Sequence, residues 1–216
     1  MVQSLLRERP AIRVSRGEQT RDRVMDVAEA SVLAKGFAAT SIDEILFEAD
    51  ITKSGFFYHF RDKNDLALAL IERFRDRDLG VFEDVFGRAE ELSDDPLHAY
   101  LVGLKLLAET MEDVQTRRPG CLVATFIYQD QQFDGRVRAT LIEVTQTWRA
   151  QFLARIRGIA AVHEPRVDID LEDLADMLLA IVNGGILLAK ALDEPARLAR
   201  QVLAYRTYVR TVFVGT

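Results

Sequence analysis

An all-α fold is predicted by three features of the 216-residue sequence. Apolar residues recur at intervals of three and four along most of its length, the pattern of helices with one buried face. Five prolines and twelve glycines are too few for the turns of an all-β chain. The breaks between periodic segments also carry helix-start chemistry, such as Ser41 with Glu44 three residues on and Asp94-Asp95-Pro96. With 49% apolar and 29% charged residues the chain can bury a sizeable core and stay soluble.

The first helix is expected from about Thr20 to Lys35, with Val24, Met25, Ala28, Val32 and Leu33 on its apolar face. Gly36 sits where a helix end favours a residue of positive φ, and Phe37 can fold back on the core. The Ser41/Glu44 capping box opens a short second helix, Ile42 to Ala49, buried through Ile42, Ile45, Leu46 and Ala49. Asp50-Ile51-Thr52 interrupts it, and Thr52 or Ser54 caps a third short helix ending near Phe60. Asn64 or Asp65 caps a long fourth helix from Leu66 through Phe86. Further helices are expected from Pro96 to about Val114, Cys121 to Tyr128, Gly135 to about Ile156, Asp168 or Asp170 to about Leu192, and Glu194-Pro195 to about Val212.

The bulk numbers exclude several classes. There is no run of eighteen apolar residues, so no membrane span is expected, and the arginine-dotted N-terminus lacks the features of a secretory signal. One cysteine, Cys121, forms no internal disulfide and suits a reducing cytoplasm. No Cys/His spacing suggests a metal, and no catalytic constellation or glycine-rich phosphate loop suggests an enzyme, so no cofactor is expected. The net charge of −6 favours a protein-interaction scaffold slightly over a nucleic-acid binder. Yet Arg7, Arg9, Arg13, Arg16, Arg21 and Arg23 outnumber Glu8, Glu18 and Asp22 at the N-terminus, leaving that end basic.

Two short helices joined by three residues and packed on a longer one make a helix-turn-helix, whose second helix enters the major groove. Phe56, Phe57 and Phe60 are placed to pin that helix, leaving Thr52, Lys53, Ser54, Gly55, Tyr58 and His59 toward DNA and Lys63 beside a phosphate. Gly55 would let the backbone approach the duplex.

At these residues the chain resembles the Tet repressor family. The matching stretch is TRDRVMDVAEASVLAKGFAATSIDEILFEADITKSGFFYHFRDKNDLALAL, about a quarter of the chain. Gly36-Phe37, Thr40-Ser41-Ile42, Ile45, Lys53-Ser54-Gly55, Tyr58-His59-Phe60, Lys63 and Leu66 all fall at the family's spacing. Phe57 stands where the family usually has tyrosine, which removes a phosphate-bonding hydroxyl, and Asp50 stands where it usually has glycine. The resemblance implies phosphate contacts from Thr40 or Ser41, Tyr58, His59 and Lys63, and base contacts from Thr52, Lys53, Ser54 and Gly55. Arg13, Arg16 and Arg21 are either a DNA-touching arm or a solvated tail.

The segment Leu171–Leu192 is apolar nearly all round, and the last helix is apolar on more than one face. Helices of this kind need a second covering surface, and Gly184-Gly185 would admit a partner helix closely. A homodimer interface is therefore expected through Leu174, Leu178, Ile181, Val182, Gly185, Leu188, Val202, Tyr205 and Val209, and the resemblance implies the same helices. It further implies a cavity for a small-molecule effector, lined by Phe74, Leu104, Leu107, Met111, Cys121, Thr125, Phe126, Gln129, Trp148 and Phe152. Tyr128 is a further polar candidate. Cys121, at the start of a short helix whose dipole would lower a thiol pKa, is read either as a thiol or electrophile sensor or as a small buried residue.

The expected organisation is a basic arm over residues 1–19, a three-helix helix-turn-helix DNA-binding domain over 20–65, and a helical ligand-sensing and dimerisation bundle over 66–216. The expected function is a cytoplasmic, ligand-responsive regulator, most simply a repressor. It binds a palindromic double-stranded operator as a homodimer and is released by an apolar or amphipathic effector, with no membrane partner.

Overall fold

A computed structural model describes residues 15–117 and 120–215, and all regular structure among them is helical. The helices are α1 (Arg16–Lys35), α2 (Ile42–Glu48), α3 (Lys53–His59), α4 (Lys63–Leu92), α5 (Pro96–Arg117), α6 (Leu122–Ile127), α7 (Gly135–Ala160), α8 (Leu171–Leu192) and α9 (Ala196–Val214). A single 3-10 turn, Asp130–Gln132, joins α6 to α7. Arg7, Arg9 and Arg13 of the expected arm lie outside the described residues.

Local chemistry sets the ends. α1 begins earlier than the apolar pattern suggests because Ser15 and Glu18 form a full capping box: Ser15 Oγ accepts from Glu18 N at 3.2 Å and Glu18 Oε2 accepts from Ser15 N at 2.7 Å. It stops at Gly36, whose φ of +85° favours glycine and whose N–H still donates to Val32 O. The box expected at Ser41 is half formed. Ser41 Oγ accepts from Glu44 N, but the Glu44 carboxylate takes the Lys35 ammonium instead. Asp50 turns the chain with φ +49°, and Thr52 caps α3. α4 is capped by Asp62 rather than Asn64 or Asp65, because Asp65 is held by Arg61. Asp134 and Asp170 cap α7 and α8.

The first three helices and the start of α4 close around Val24, Met25, Ala28, Val32, Ile45, Ala49, Phe56, Phe60, Leu66 and Leu70, all nearly inaccessible. Beyond them α5 lies between α4 and α9, and α8 packs across α7 and α9. The two parts share one continuous core, because α4 runs through both and α6 leans on α1. Buried Tyr205 donates to Leu174 O at 2.8 Å and ties α9 to α8. Among the described helices α8 is long and apolar enough to cross a membrane; here it is a packing helix, with Leu174, Ala175, Leu178, Gly185 and Ala189 buried.

Candidate nucleic-acid interface and effector cavity

The outward face of the helix-turn-helix is small and polar. Phe56 is fully buried and Phe60 nearly so, their ring centroids 5.5 Å apart, so α3 is anchored from one side. The full burial of each ring contributes on the order of 2 kcal/mol. Opposite, Thr52, Lys53, Ser54 and Tyr58 are exposed, Tyr58 at 83%. Thr52 Oγ1 accepts from Gly55 N and pairs with Ser54 Oγ at 3.0 Å, which orders both hydroxyls on the helix start. A Cβ on Gly55 would lie 3.3 Å from Thr52 Oγ1, so glycine also relieves crowding within the cap. The His59 ring sits edge-on to Tyr58 at 4.9 Å.

Several residues expected at this surface do other work. Thr40 is buried, hydrogen-bonded to Gly36 O and Ser31 Oγ, so the exposed Ser41 is the hydroxyl presented at the start of α2. Lys63 is turned inward: its ammonium donates to Phe37 O at 2.6 Å and lies 4.2 Å from the Phe37 ring centroid, and burial lowers its pKa. Phe57 is 44% exposed and meets Phe56 edge-on, so it pins the helix less than Phe56 and Phe60 do. Arg21 packs over the Phe60 ring. Arg16 belongs to the first turn of α1, which therefore extends into the expected arm.

In the second part of the molecule, a cavity of about 440 Å³ lies among α1, α4, α5, α7, α8 and the segment before α6. Its apolar walls include Leu33, Phe74, Val81, Phe82, Met111, Trp148, Phe152, Leu179, Val182 and Ile186. Its polar lining is Glu29, Arg77, Asp78, Cys121 and Asn183. Glu29, buried on α1, accepts from Arg73 Nη2 at 2.7 Å and Arg77 Nη2 at 2.9 Å, both on α4. Burial pushes its pKa up, but the bonds and charges of Arg77 and Arg73 outweigh that and hold it low. Asp78 has no hydrogen bond or ion pair among the described residues, and burial raises its pKa to about 7. Trp148 Nε1 is buried without a hydrogen-bond partner among the described residues.

Of the residues expected to line a cavity, Phe74, Met111, Cys121, Trp148 and Phe152 do so. Leu104, Leu107 and Phe126 are core residues with no accessible surface. Thr125 Oγ1 is bonded to Cys121 O, and Tyr128 is exposed at 86%. Gln129 is a clamp between the two parts: its Oε1 accepts from Phe37 N at 2.9 Å and Ala38 N at 3.2 Å, just past α1. The expected thiol activation is also reversed. Burial pushes the Cys121 thiol up to about 11, with the Asp78 charge adding to the shift and the backbone N–H of Ala124 only partly opposing it.

The chain matches two family models: "Bacterial regulatory proteins, tetR family" over residues 24–70, and "Tetracyclin repressor-like, C-terminal domain" over residues 103–205. It is 32% identical to the transcriptional regulator AcuR of Cereibacter sphaeroides, over 72% of this chain and 69% of that protein. This chain belongs to the Tet repressor family. It is 27% identical to the transcriptional repressor BepR of Brucella suis, over 77% of this chain and 78% of the relative. Among solved structures, a TetR-family regulator from Agrobacterium tumefaciens shares the fold at a TM-score of 0.75 and 19% identity, covering 92% of this chain and all of the other. As a Tet repressor family member, the protein is a DNA-binding transcriptional regulator built on a helix-turn-helix.

In this family member the residues expected at a subunit interface divide. Leu174, Leu178, Gly185, Val202, Tyr205 and Val209 are buried within the chain, where α8 and α9 pack on each other, and cannot face a partner. A Cβ on Gly185 would lie 2.8 Å from Leu198 Cδ1 and 3.1 Å from Leu198 Cα, so Gly185 admits α9 of its own chain. Ile181 and Val182 are half-buried, and Leu188 is exposed. The open stripes are Ala180, Asn183, Leu187, Leu188 and Ala191 on α8, and Leu203, Ala204, Thr207 and Tyr208 on α9. A helix apolar all round does not say which stripe meets its own chain.

The other residues missed are Glu29 and Asp78. Both were visible as carboxylates interrupting apolar rows: Met25, Ala28, Glu29, Val32 on α1, and Ile71, Phe74, Asp78, Val81 on α4.

Proposed function

We propose that this protein is a ligand-responsive repressor that works in the cytoplasm as a homodimer on a two-fold symmetric operator. The observation that carries ligand response is the cavity itself, whose wall residue Arg77 is ion-paired to Glu29 in α1 of the DNA-binding part. An effector seated against α4 therefore bears on a helix that is bonded directly to the helix-turn-helix. Gln129 supplies a second tie between the same two parts. Effector binding that favours one setting of α4 over another shifts the relative placement of two recognition helices and lowers operator affinity by the differential binding energy.

Two further features support the reading. The open stripes of α8 and α9 are uncharged and mainly apolar, on two helices that pack on each other, as an isologous four-helix contact requires. Repression is supported by the similarity to BepR, which is named a repressor. Cys121 lines the cavity with its thiol protonated at neutral pH, which favours a wall residue over a thiol sensor.

The test is selection of bound sequences from random duplex DNA by the full-length protein. An inverted repeat with half-sites about one helical turn apart is expected. On that operator Lys53→Ala is expected to weaken binding about tenfold or more, and retained full affinity would remove α3 from the interface. Recovery of no symmetric site at low salt would overturn the reading.

A further inference from the structure

The cavity carries a carboxylate with no partner among the described residues. Asp78 is set on the inner face of α4 between Phe74 and Phe82 and has no hydrogen bond or ion pair among the described residues. The nearby guanidinium groups do not neutralise it by contact. Arg73 is held by Asp26 at 2.9 Å and Glu29 at 2.7 Å, and Arg77 by Glu29 at 2.9 Å. Trp148, on the α7 side, is 7% exposed. Phe74 meets Trp148 edge-to-face at 6.4 Å, and Phe82 meets Phe152 at 5.1 Å, so aromatic rings make up much of the wall.

These requirements define a ligand. A half-buried carboxylate without a partner is costly, and a bound positive charge removes that cost. Aromatic faces attract the same charge, most strongly where water is excluded. The apolar remainder of the walls needs a hydrophobic body.

We propose that the cavity takes an amphipathic organic cation, its positive end set against Asp78 and the aromatic walls and its apolar body against the rest of the lining. This rests on the reading that the cavity is the effector site. Among the described residues the titratable groups around Asp78 are Glu29 from α1, Arg77 from α4 and Cys121 before α6, while the residues that α5, α7 and α8 present to the cavity carry none. The unliganded Asp78 carboxyl titrates at about 7, and a cation selects its ionised form. Affinity for a permanently charged ligand therefore rises with pH up to about 7 and levels off above it.

Trp148 is the single tryptophan of the chain, so its fluorescence reports on the cavity directly. Three probes of one shape separate the cases in the full-length protein: (4-phenoxybenzyl)trimethylammonium, its uncharged neopentyl isostere, and 4-phenoxyphenylacetate. The cation is expected to bind at least about tenfold more tightly than either analogue at pH 8. Its affinity is expected to fall about tenfold per pH unit well below pH 7. Asp78→Asn, checked for an unchanged circular dichroism spectrum, is expected to abolish both the preference and the pH dependence while leaving the uncharged isostere within about twofold. Tighter saturable binding of the neutral or anionic probe, or an undiminished cation preference in Asp78→Asn, overturns the proposed ligand class and leaves the cavity as an effector site. No response of Trp148 to any of the three overturns both readings.

Discussion

Replacing Glu29 by alanine tests the join between the DNA-binding part and the cavity. The side chain is 5% exposed and accepts from Arg73 at 2.7 Å and Arg77 at 2.9 Å. Removing one partner from a buried ion pair costs about 3–5 kcal/mol, because the charge left behind is desolvated and uncompensated. The lower end applies here, since Arg73 keeps Asp26 and Arg77 is partly solvated above the Phe74 ring. A loss of about 3 kcal/mol in a chain of this length lowers Tm by about 6–12 °C. The assay is thermal unfolding followed by circular dichroism at pH 7.5 and matched concentration. Glu29→Gln, which keeps an acceptor, should lose about half as much. The pH dependence has a definite sign. Burial raises the Glu29 pKa, but Arg77 and Arg73 bring the folded value below the ordinary one, so the carboxylate stabilises the protein above the unfolded pKa of about 4.3. That contribution disappears as pH falls through the folded value. A Tm within about 2 °C of the wild type, or a difference that persists undiminished at pH 3, would refute the reasoning.

Three other outcomes follow from the same structure. Asp78 is the opposite case: its raised pKa means that ionisation opposes folding, with the penalty growing as pH rises from about 4 and complete above about 7. Without ligand, Asp78→Asn should therefore melt higher than the wild type at pH 8 by about 1–3 kcal/mol, with the advantage gone at pH 4; equal stability at both would contradict the assignment. Leu188→Asp, on the open stripe of α8, should convert a dimer to a folded monomer in analytical ultracentrifugation. A dimer of unchanged affinity would place the interface elsewhere. Cys121, with its thiol at about 11, should react with iodoacetamide at pH 7.5 about a hundredfold more slowly than in urea-unfolded protein, and near-equal rates would restore the case for a thiol sensor.

The helix-turn-helix was legible because its signals are local. A capping serine, a turn residue able to take positive φ, and aromatics four residues apart act within one or two helical turns, where sequence spacing maps directly onto contact. Even there, Thr40 and Lys63 were assigned to DNA although the fold turns both inward, since exposure depends on neighbours nine and twenty-six residues away in Ser31 and Phe37.

The amino-acid sequence by itself determined the helical class, the order of the helices and the exposed start of α3, while the place of Phe74, Trp148 and Phe152 in a cavity wall came only through the family resemblance. Only the tertiary structure decided which stripe of α8 meets α9 and which remains open, that Gln129 ties α6 to α1, and that Asp78 faces a cavity while Glu29 is met by two arginines. The physical reason is that burial and charge compensation are properties of what surrounds a side chain. Here those surroundings are assembled from helices far apart in the chain, and periodicity along one helix cannot record them.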